Sequence, residues 1–213
     1  MTFLPDAATM VAYSIACFVL FITPGPDMSL FLSRTLAGGR KHGIAAMLGA
    51  MAGCCVHTVL AAVGVSALLA ASVTGFTILK IVGAAYLGWL AIDAIRHGSA
   101  LSMKQGEKVE TSTWGTFLAG VGINLTNPKV VLFFVTFLPQ FISAGDPHAS
   151  QKLLFLGIYF VIFSVPLALA MILGAERVTQ TLKSRPRVMR AIDWCFAGIF
   201  GAFAVKILMT QAK

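Results

Sequence analysis

Charged side chains are scarce in this chain of 213 residues. They make up 11% of it, whereas hydrophobic residues make up 58%. Ordinary soluble domains carry about a quarter charged residues. A surface so poor in charge favours lipid over water as the surrounding solvent. The composition therefore argues against a soluble domain and indicates a membrane protein.

Cysteine is also rare. The four cysteines, at positions 17, 54, 55 and 195, all lie in apolar runs, and none belongs to a CxxC pair. Disulfide frameworks and zinc sites need paired or clustered cysteines, so we expect neither, and we interpret these residues as small packing groups. The chain has no glycine-rich nucleotide loop either, so an ATP-driven pump is not expected. We expect no metal and no cofactor.

Long apolar runs, by contrast, are abundant. A helix needs about 20 apolar residues to cross a bilayer, and six such runs occupy residues 8–33, 43–71, 77–96, 114–142, 151–174 and 190–209. Residues 1–7 contain no Lys or Arg, and the first run is too long for the core of a signal peptide. We interpret that run as a retained span. The sequence thus predicts an all-α membrane protein with six transmembrane helices.

The net charge of +8 is unevenly distributed along the chain. Eleven of the 16 basic residues follow spans 1, 3 and 5: Arg34, Arg40, Lys41, Arg96, Lys104, Lys108, Arg177, Lys183, Arg185, Arg187 and Arg190. Four lie on the other side (Lys80, Lys152, Lys206 and Lys213), and Lys129 lies within a span. This positive-inside pattern places the basic loops in the cytoplasm and both termini outside. We therefore expect the partner of this charge to be a lipid bilayer and not a nucleic acid.

The longest polar stretch, residues 98–113, divides the spans into three and three. The predicted units are a first repeat at 1–97, a cytoplasmic linker at 98–113 and a second repeat at 114–213. A unit with an odd number of spans enters the membrane the second time upside down, as in many transporters. Spans 1 and 4 both place Thr and Pro beside a charged residue, in TPGPD at 23–27 and NLTNPK at 124–129. The sequence therefore predicts two inverted three-helix repeats with broken helices at spans 1 and 4.

The prolines in these motifs leave backbone polar groups without hydrogen bonds at the breaks. Because proline has no N–H, Pro24 frees the carbonyl of Leu20, and Pro128 frees that of Asn124. Free carbonyls attract cations and free N–H groups attract carboxylates, which suits a polar site at membrane depth. We predict that substrate binds between the breaks, at Thr23, Pro24, Gly25, Pro26, Asp27, Asn124, Thr126, Asn127, Pro128 and Lys129.

Asp27 and Lys129 are the only acid and base deep within the predicted spans. A charge there costs about 2.5–3.5 kcal/mol even on the gentler insertion scale, and such residues usually lie on transport pathways. In the functional interpretation Asp27 accepts an ammonium group or a proton, and Lys129 binds a carboxylate. In the alternative the two form a static salt bridge between the halves.

His57 lies near the centre of span 2. Gly49, Gly53 and His57 follow one another at four-residue steps and so share one helix face. Small residues at that spacing indicate helix–helix contact in lipid, so we expect His57 to point into the bundle. We assign proton coupling to Asp27 and His57, because imidazole changes charge near neutral pH. A packing role for His57 is the alternative.

An intramembrane protease is not supported, and we do not expect an enzyme. His57 and Ser66 lie nine residues apart, which puts them about 13.5 Å apart on one helix. Their directions differ by about 180°, so they cannot share a hydrogen bond. A channel remains an alternative, because polar breaks can line a pore.

Five segments together resemble the LysE/RhtB family of amino-acid exporters: TPGPD at 23–27, GGRKHG at 38–43, LKIVGAAYLGWLAI at 79–92, NLTNPK at 124–129 and FLPQFI at 137–142. The resemblance implies a bacterial inner-membrane carrier that expels amino acids or close derivatives, driven by the proton motive force. We expect alternating access around the paired breaks. The alternatives are a small-ion or metal exporter of the same superfamily, or a channel. The small-residue faces of spans 2, 3 and 6 should allow close packing, and one of them could support a homodimer.

Overall fold

The computed structural model describes residues 5–98, 112–143 and 146–211. Within these ranges the chain is helical and has no β-strand, so the predicted all-α class is confirmed. Most of the predicted linker, including Lys104 and Lys108, lies outside the described residues, as does Lys213.

The helices follow one another along the whole described chain. The α-helices are α1 (Ala7–Ile22), α2 (Pro26–Gly38), α3 (Arg40–Leu60), α4 (Ser66–Ala71), α5 (Val73–His97), α6 (Thr113–Thr126), α7 (Pro128–Leu132), α8 (Ala149–Leu173), α9 (Ala175–Ser184) and α10 (Pro186–Gln211). A π-helical segment, Ala61–Val65, joins α3 to α4. A second π-helical segment, Phe133–Phe137, and a 3-10 turn, Leu138–Phe141, continue α7.

Six segments are long and apolar enough to cross a membrane, if each bent pair counts as one. Four of them meet this requirement as single segments: Arg40–Leu68, Val73–His97, Ala149–Leu173 and Pro186–Val205. The other two are bent pairs. α1 and α2 meet at 53°, and α6 meets Pro128–Phe141 at 54°. The described residues therefore contain the six spans and the two broken helices that the apolar runs and proline motifs predict.

Local chemistry explains both breaks. Pro26 and Pro128 occupy the first turns of α2 and α7, where a missing N–H costs nothing. α1 ends where the hydroxyl of Thr23 donates to the carbonyl oxygen of Val19 over 2.7 Å. α7 begins where the side chain of Asn127 accepts from the N–H of Lys129 over 3.1 Å. Each half therefore contains one helix that stops and restarts inside the bundle.

The backbones of α3 and α6 touch each other. A Cβ added at Gly49 would lie 2.0 Å from the carbonyl oxygen of Phe117, and one at Gly120 would lie 2.3 Å from that of Ala46. Only glycine permits this approach, which is how helices associate without a hydrophobic driving force in lipid. The expected contact along the Gly49 face is confirmed.

The glycines of spans 3 and 6 also lie at contacts between helices of the same chain. A Cβ at Gly83 would lie 2.3 Å from the side chain of Thr136, and a Cβ at Gly88 would lie 3.8 Å from that of Ala204. Gly201 faces Ala91 at the same distance. Close packing through small residues is thus confirmed between helices of one chain. The homodimer stays a prediction.

The interior differs at the two ends of the bundle. We call the end that carries Arg34, Arg40 and Arg177 the basic end. Towards the opposite end lies an aromatic cluster of Tyr13, Phe133, Phe134, Phe137, Phe141, Phe160, Phe200 and Phe203, with neighbouring ring centroids 4.8–6.2 Å apart. Towards the basic end the buried side chains are mainly methionine and aliphatic: Met28, Leu30, Leu32, Met47, Met51, Met171 and Ile172. The broken helices meet between these two regions.

One helix was not expected from the sequence. α9 occupies part of what the charge pattern marked only as a basic loop. Val178 and Leu182 lie four residues apart, so they share one face. That face packs against Met28, Leu32 and Met171. α9 therefore lies along α2 at the basic end and covers the methionine-rich side of the interior.

Candidate functional site

Lys129 joins the two helix breaks. Its ammonium donates to the carbonyl oxygen of Thr23 over 2.6 Å and to that of Leu20 over 3.2 Å. These carbonyls belong to the C-terminal end of α1, where unpaired oxygens and the helix dipole favour a cation. The carbonyl of Leu20 is one that Pro24 frees, as the sequence predicts. Lys129 thus caps α1 from the other half of the chain.

Gly25 makes room for this contact. A Cβ at Gly25 would lie 3.0 Å from Nζ of Lys129 and 3.3 Å from its Cε. The lysine side chain therefore passes directly over the glycine to reach α1. Pro24 is buried beside it, whereas Pro26 is exposed.

Asp27 is held by two amides from the opposite break. Its Oδ2 accepts from Nδ2 of Asn124 over 2.9 Å and from Nδ2 of Asn127 over 3.1 Å. Its Oδ1 is buried and has no hydrogen-bond partner among the described residues. A buried carboxylate oxygen without a donor is costly and uncommon. This oxygen is therefore the atom of Asp27 that is open to a ligand or a proton.

Asp27 and Lys129 do not form an ion pair closer than 4.0 Å. Ion pairs in the part of the chain that the structure describes include His97 with Asp93 and Lys152 with Asp146, but not Asp27 with Lys129. Each of the two deep charges instead has its own neutral partners, amides for the carboxylate and carbonyls for the ammonium. The geometry therefore does not support the static salt bridge.

His57 is buried and points into the bundle, as its position beside Gly53 predicts. Its Nε2 lies 3.4 Å from the carbonyl oxygen of Asn124, and its ring stacks on Phe134 with centroids 5.6 Å apart. Asn124 also contacts Asp27, so one residue touches both groups to which we assign proton coupling. The thiol of Cys54 lies 3.5 Å from Nδ2 of Asn124 and completes this buried cluster.

A small cavity of about 40 Å³ opens beside these groups. Its lining is Leu20, Phe21, Asp27, Met28, Phe31, Met51, Cys54, Asn124, Lys129, Val130, Phe160 and Ser164. This volume holds a few water molecules and is too small for an amino acid. The polar groups of both breaks thus face one small cavity in an otherwise apolar interior.

A second cavity lies at the basic end. It has about 380 Å³ and is lined by Thr35, Leu36, Gly39, Arg40, Ile172, Leu173, Gly174, Ala175, Glu176 and Arg177. We call it the vestibule. Side chains of the methionine and aliphatic region line both cavities: Met28 and Met51 line the small cavity, and Ile172 lines the vestibule. Its size falls in the range of small-molecule pockets.

The structure brings most, but not all, of the predicted site residues together. Thr23, Asp27, Asn124, Asn127 and Lys129 are linked by the hydrogen bonds above. Thr126 and Pro128 are exposed. The hydroxyl of Thr126 donates to the carbonyl of Gly122 in its own helix. The geometry therefore gives no support to substrate binding by Thr126.

Sequence patterns do not assign Cys54, Phe134 or Ser164 to the site, although all three lie at it. The place of Cys54 could have been predicted, because it follows Gly53 and lies three residues before His57. No pattern indicates Phe134 or Ser164, because residues of their kind recur throughout the spans. In the described residues no three His, Cys, Asp or Glu side chains come together as a metal site.

Comparisons with known proteins give the chain a family. The model described as LysE type translocator matches residues 18–211. An uncharacterized membrane protein of Vibrio cholerae is 32% identical over 208 residues, which cover 98% of this chain and 99% of the relative. The homoserine/homoserine lactone efflux protein of Salmonella typhimurium is 30% identical over 202 residues, which cover 95% of this chain and 96% of the relative. No solved structure matches significantly. The chain is a member of the LysE type translocator family.

Proposed function

We propose that this protein is a secondary transporter that exports amino acids or close derivatives from the cytoplasm across the bacterial inner membrane. The observation that carries the proposal is the small polar site between two helix breaks, with one carboxylate and one ammonium facing the same cavity. A zwitterion needs these two charges. The relative named as a homoserine/homoserine lactone efflux protein supports the same substrate class.

Asp27 receives the substrate ammonium in this proposal. Its Oδ2 is already occupied by Asn124 and Asn127, and its Oδ1 is free. A substrate ammonium and a proton would compete for that one oxygen, because each neutralises the same charge. Competition of this kind is the simplest basis for proton antiport.

His57 contributes to coupling through Asn124. Its Nε2 faces the carbonyl of Asn124, whose amide holds Asp27. A change in the charge of the imidazole would therefore be felt at the carboxylate through one intervening residue. We assign the exchanged proton to Asp27 and its modulation to His57.

Lys129 receives the substrate carboxylate. An ammonium has three donor hydrogens, and Lys129 uses two on the carbonyls of Leu20 and Thr23. The third is available to the cavity that Lys129 lines. The same residue would thus hold α1 in place and recognise the carboxylate.

Transport requires the small cavity to open, which we propose occurs by alternating access. The barrier on the basic side contains Met28, Met47, Met51 and Met171, whose flexible side chains repack at low cost. The barrier on the other side is the aromatic cluster. Substrate would enter from the vestibule when the methionine side opens, and leave when the aromatic side opens. The two bends, in opposed halves, would supply the hinges.

Efflux from proteoliposomes tests the function. Radiolabelled homoserine should leave vesicles faster with an opposing pH gradient than without one. Asp27→Asn should abolish that dependence. Because Asp27 also receives the substrate ammonium, the variant should also raise the KM for exchange at equal pH. Asp93→Asn, at an exposed carboxylate near the basic end, is the matched control and should behave as wild type. His57→Gln should shift the pH dependence with a smaller effect. Passive homoserine flux that does not depend on the pH gradient would favour a channel. Metal flux without amino-acid flux would favour an ion exporter.

Labelling of single cysteines tests the orientation. In a cysteine-free background, Lys41→Cys and Arg185→Cys should react only with reagents that reach the cytoplasm. Ser72→Cys and Asp146→Cys should react from outside. A reversed pattern would contradict the exporter direction and the placement of both termini outside. Labelling of Lys41→Cys and Arg185→Cys from opposite sides of the membrane would contradict the inverted repeats.

A further inference from the structure

Ser164 is a buried hydroxyl without a partner. It lies in α8 with no exposed surface, and its Oγ makes no hydrogen bond to any described residue. A hydroxyl in a helix normally satisfies itself on the carbonyl four residues earlier. Several in this protein do so over 2.6–2.8 Å: Ser14, Thr23, Thr35, Thr58, Thr126 and Thr136. Ser164 has the same option and does not take it.

The location of Ser164 explains what its hydroxyl could bind instead. It lines the same small cavity as Asp27 and Lys129. Ser29, Ser66 and Thr179 are the other buried hydroxyls without a partner in the described ranges, and none of them lines this cavity. Most of the remaining lining is apolar, including Phe21 and Phe160. Ser164 is therefore an isolated polar point on the α8 side of the cavity.

We propose that Ser164 is a specificity-determining residue that hydrogen-bonds a neutral polar group on the substrate side chain. This inference rests on the proposed function, in which Asp27 takes the ammonium and Lys129 the carboxylate. The α-groups are then accounted for, and the side chain is the part of the substrate left to face α8. A serine hydroxyl both donates and accepts, so it suits a hydroxyl or a carbonyl oxygen.

The consequence is selection for small amino acids with a hydroxyl or a carbonyl oxygen in the side chain. An aliphatic side chain of equal size would leave the Ser164 hydroxyl buried and unpaired, and such pairing losses discriminate more strongly than a missing methylene does. A charged side chain would bring an unpaired charge against Phe21 and Phe160. Ser164 thus favours neutral polar substrates over both.

The test compares homoserine with norvaline, which carries a methyl group in place of the terminal hydroxyl. Purified wild-type protein in proteoliposomes should transport homoserine with the lower KM. Ser164→Ala should reduce the preference for homoserine over norvaline by about three- to tenfold, through a higher KM for homoserine and little change for norvaline. Ser29→Ala removes another buried, unpartnered hydroxyl that does not line the cavity, and should leave the preference unchanged.

Each outcome decides a different question. Equal effects of Ser164→Ala on both substrates, or no wild-type preference, would overturn the role of Ser164 while leaving amino-acid export intact. Absence of transport of every amino acid by the wild type would instead overturn the proposed function. If Ser164→Ala does not fold, Ser164→Cys keeps the shape of the side chain with a somewhat larger atom and a weaker hydrogen bond, and the same loss of preference is expected from it.

Discussion

The ammonium of Lys129 lies 2.6 Å from the carbonyl oxygen of Thr23, a residue 106 positions earlier in the chain. This contact ties the restarted helix of the second half to the end of the stopped helix of the first half. Both ends of the contact exist because a proline interrupts a helix beside them. The two breaks are therefore one structural unit.

Removal of the Lys129 ammonium should destabilise the protein. Lys129→Gln leaves the buried carbonyls of Leu20 and Thr23 without their charged donor, at a cost of about 1–3 kcal/mol. Thermal unfolding in detergent, followed by size-exclusion chromatography, would measure the loss. Lys41→Gln, an exposed lysine at the basic end, is the control and should have little effect.

The double variant Asp27→Asn with Lys129→Gln distinguishes separate partners from a fixed ion pair. Since each charge has its own hydrogen bonds, we expect the double variant to be less stable than either single variant. Breaking a true buried ion pair costs about 3–5 kcal/mol, which removal of the second partner would largely restore. Such a restoration, measured in the same unfolding experiment, would contradict separate hydrogen-bond partners for Asp27 and Lys129.

Gly25→Ala should destabilise the protein only while Lys129 is present. The new methyl group would lie 3.0 Å from Nζ of Lys129, so the ammonium would have to shift away from α1. Overpacking of this kind costs about 1–3 kcal/mol. In a Lys129→Ala background the methyl group meets nothing comparable, and the same substitution should cost much less. Equal costs in both backgrounds would show that the crowding lies elsewhere.

Gly49→Ala should separate α3 from α6. Its Cβ would lie 2.0 Å from a backbone oxygen, which cannot move as a flexible side chain can. We expect a loss of about 1–3 kcal/mol or failure to fold. Gly122→Ala is the matched control, because its Cβ would meet nothing within 4 Å; it should be neutral or slightly stabilising. Similar stability of the two variants would argue against the close contact.

The pair of Asp146 and Lys152 should give the protein a weak dependence on acid pH. The hydrogen bond from Lys152 lowers the pKa of Asp146 below its ordinary value of about 3.9. The ionised form is therefore favoured by folding. The stabilisation is present above about pH 4–5 and is lost as the pH falls through the lowered pKa. Asp146→Asn should remove this dependence and cost less than about 1 kcal/mol at neutral pH. Unfolding temperatures measured from about pH 3 to about pH 7 would show this dependence of stability on pH.

The sequence alone determined the features that follow from local rules. Six apolar runs long enough to cross a bilayer predicted the spans, because hydrocarbon thickness fixes helix length. Proline without an N–H predicted the breaks and the free carbonyl of Leu20. Four-residue spacing predicted that Gly49, Gly53 and His57 share one buried face.

Only the tertiary structure decided how the polar groups pair across the breaks. Asp27 and Lys129 have opposite charges, yet each hydrogen-bonds to neutral groups and not to the other, and no local rule chooses between these arrangements. Thr126 and Asn127 are neighbours in sequence, but one faces outward while the other holds Asp27. Ser164 looked like any other hydroxyl in an apolar run. Its importance comes from the cavity that α8 forms with α1, α2, α3, α6 and α7. Which atoms share a cavity depends on how distant segments pack and not on their spacing along the chain.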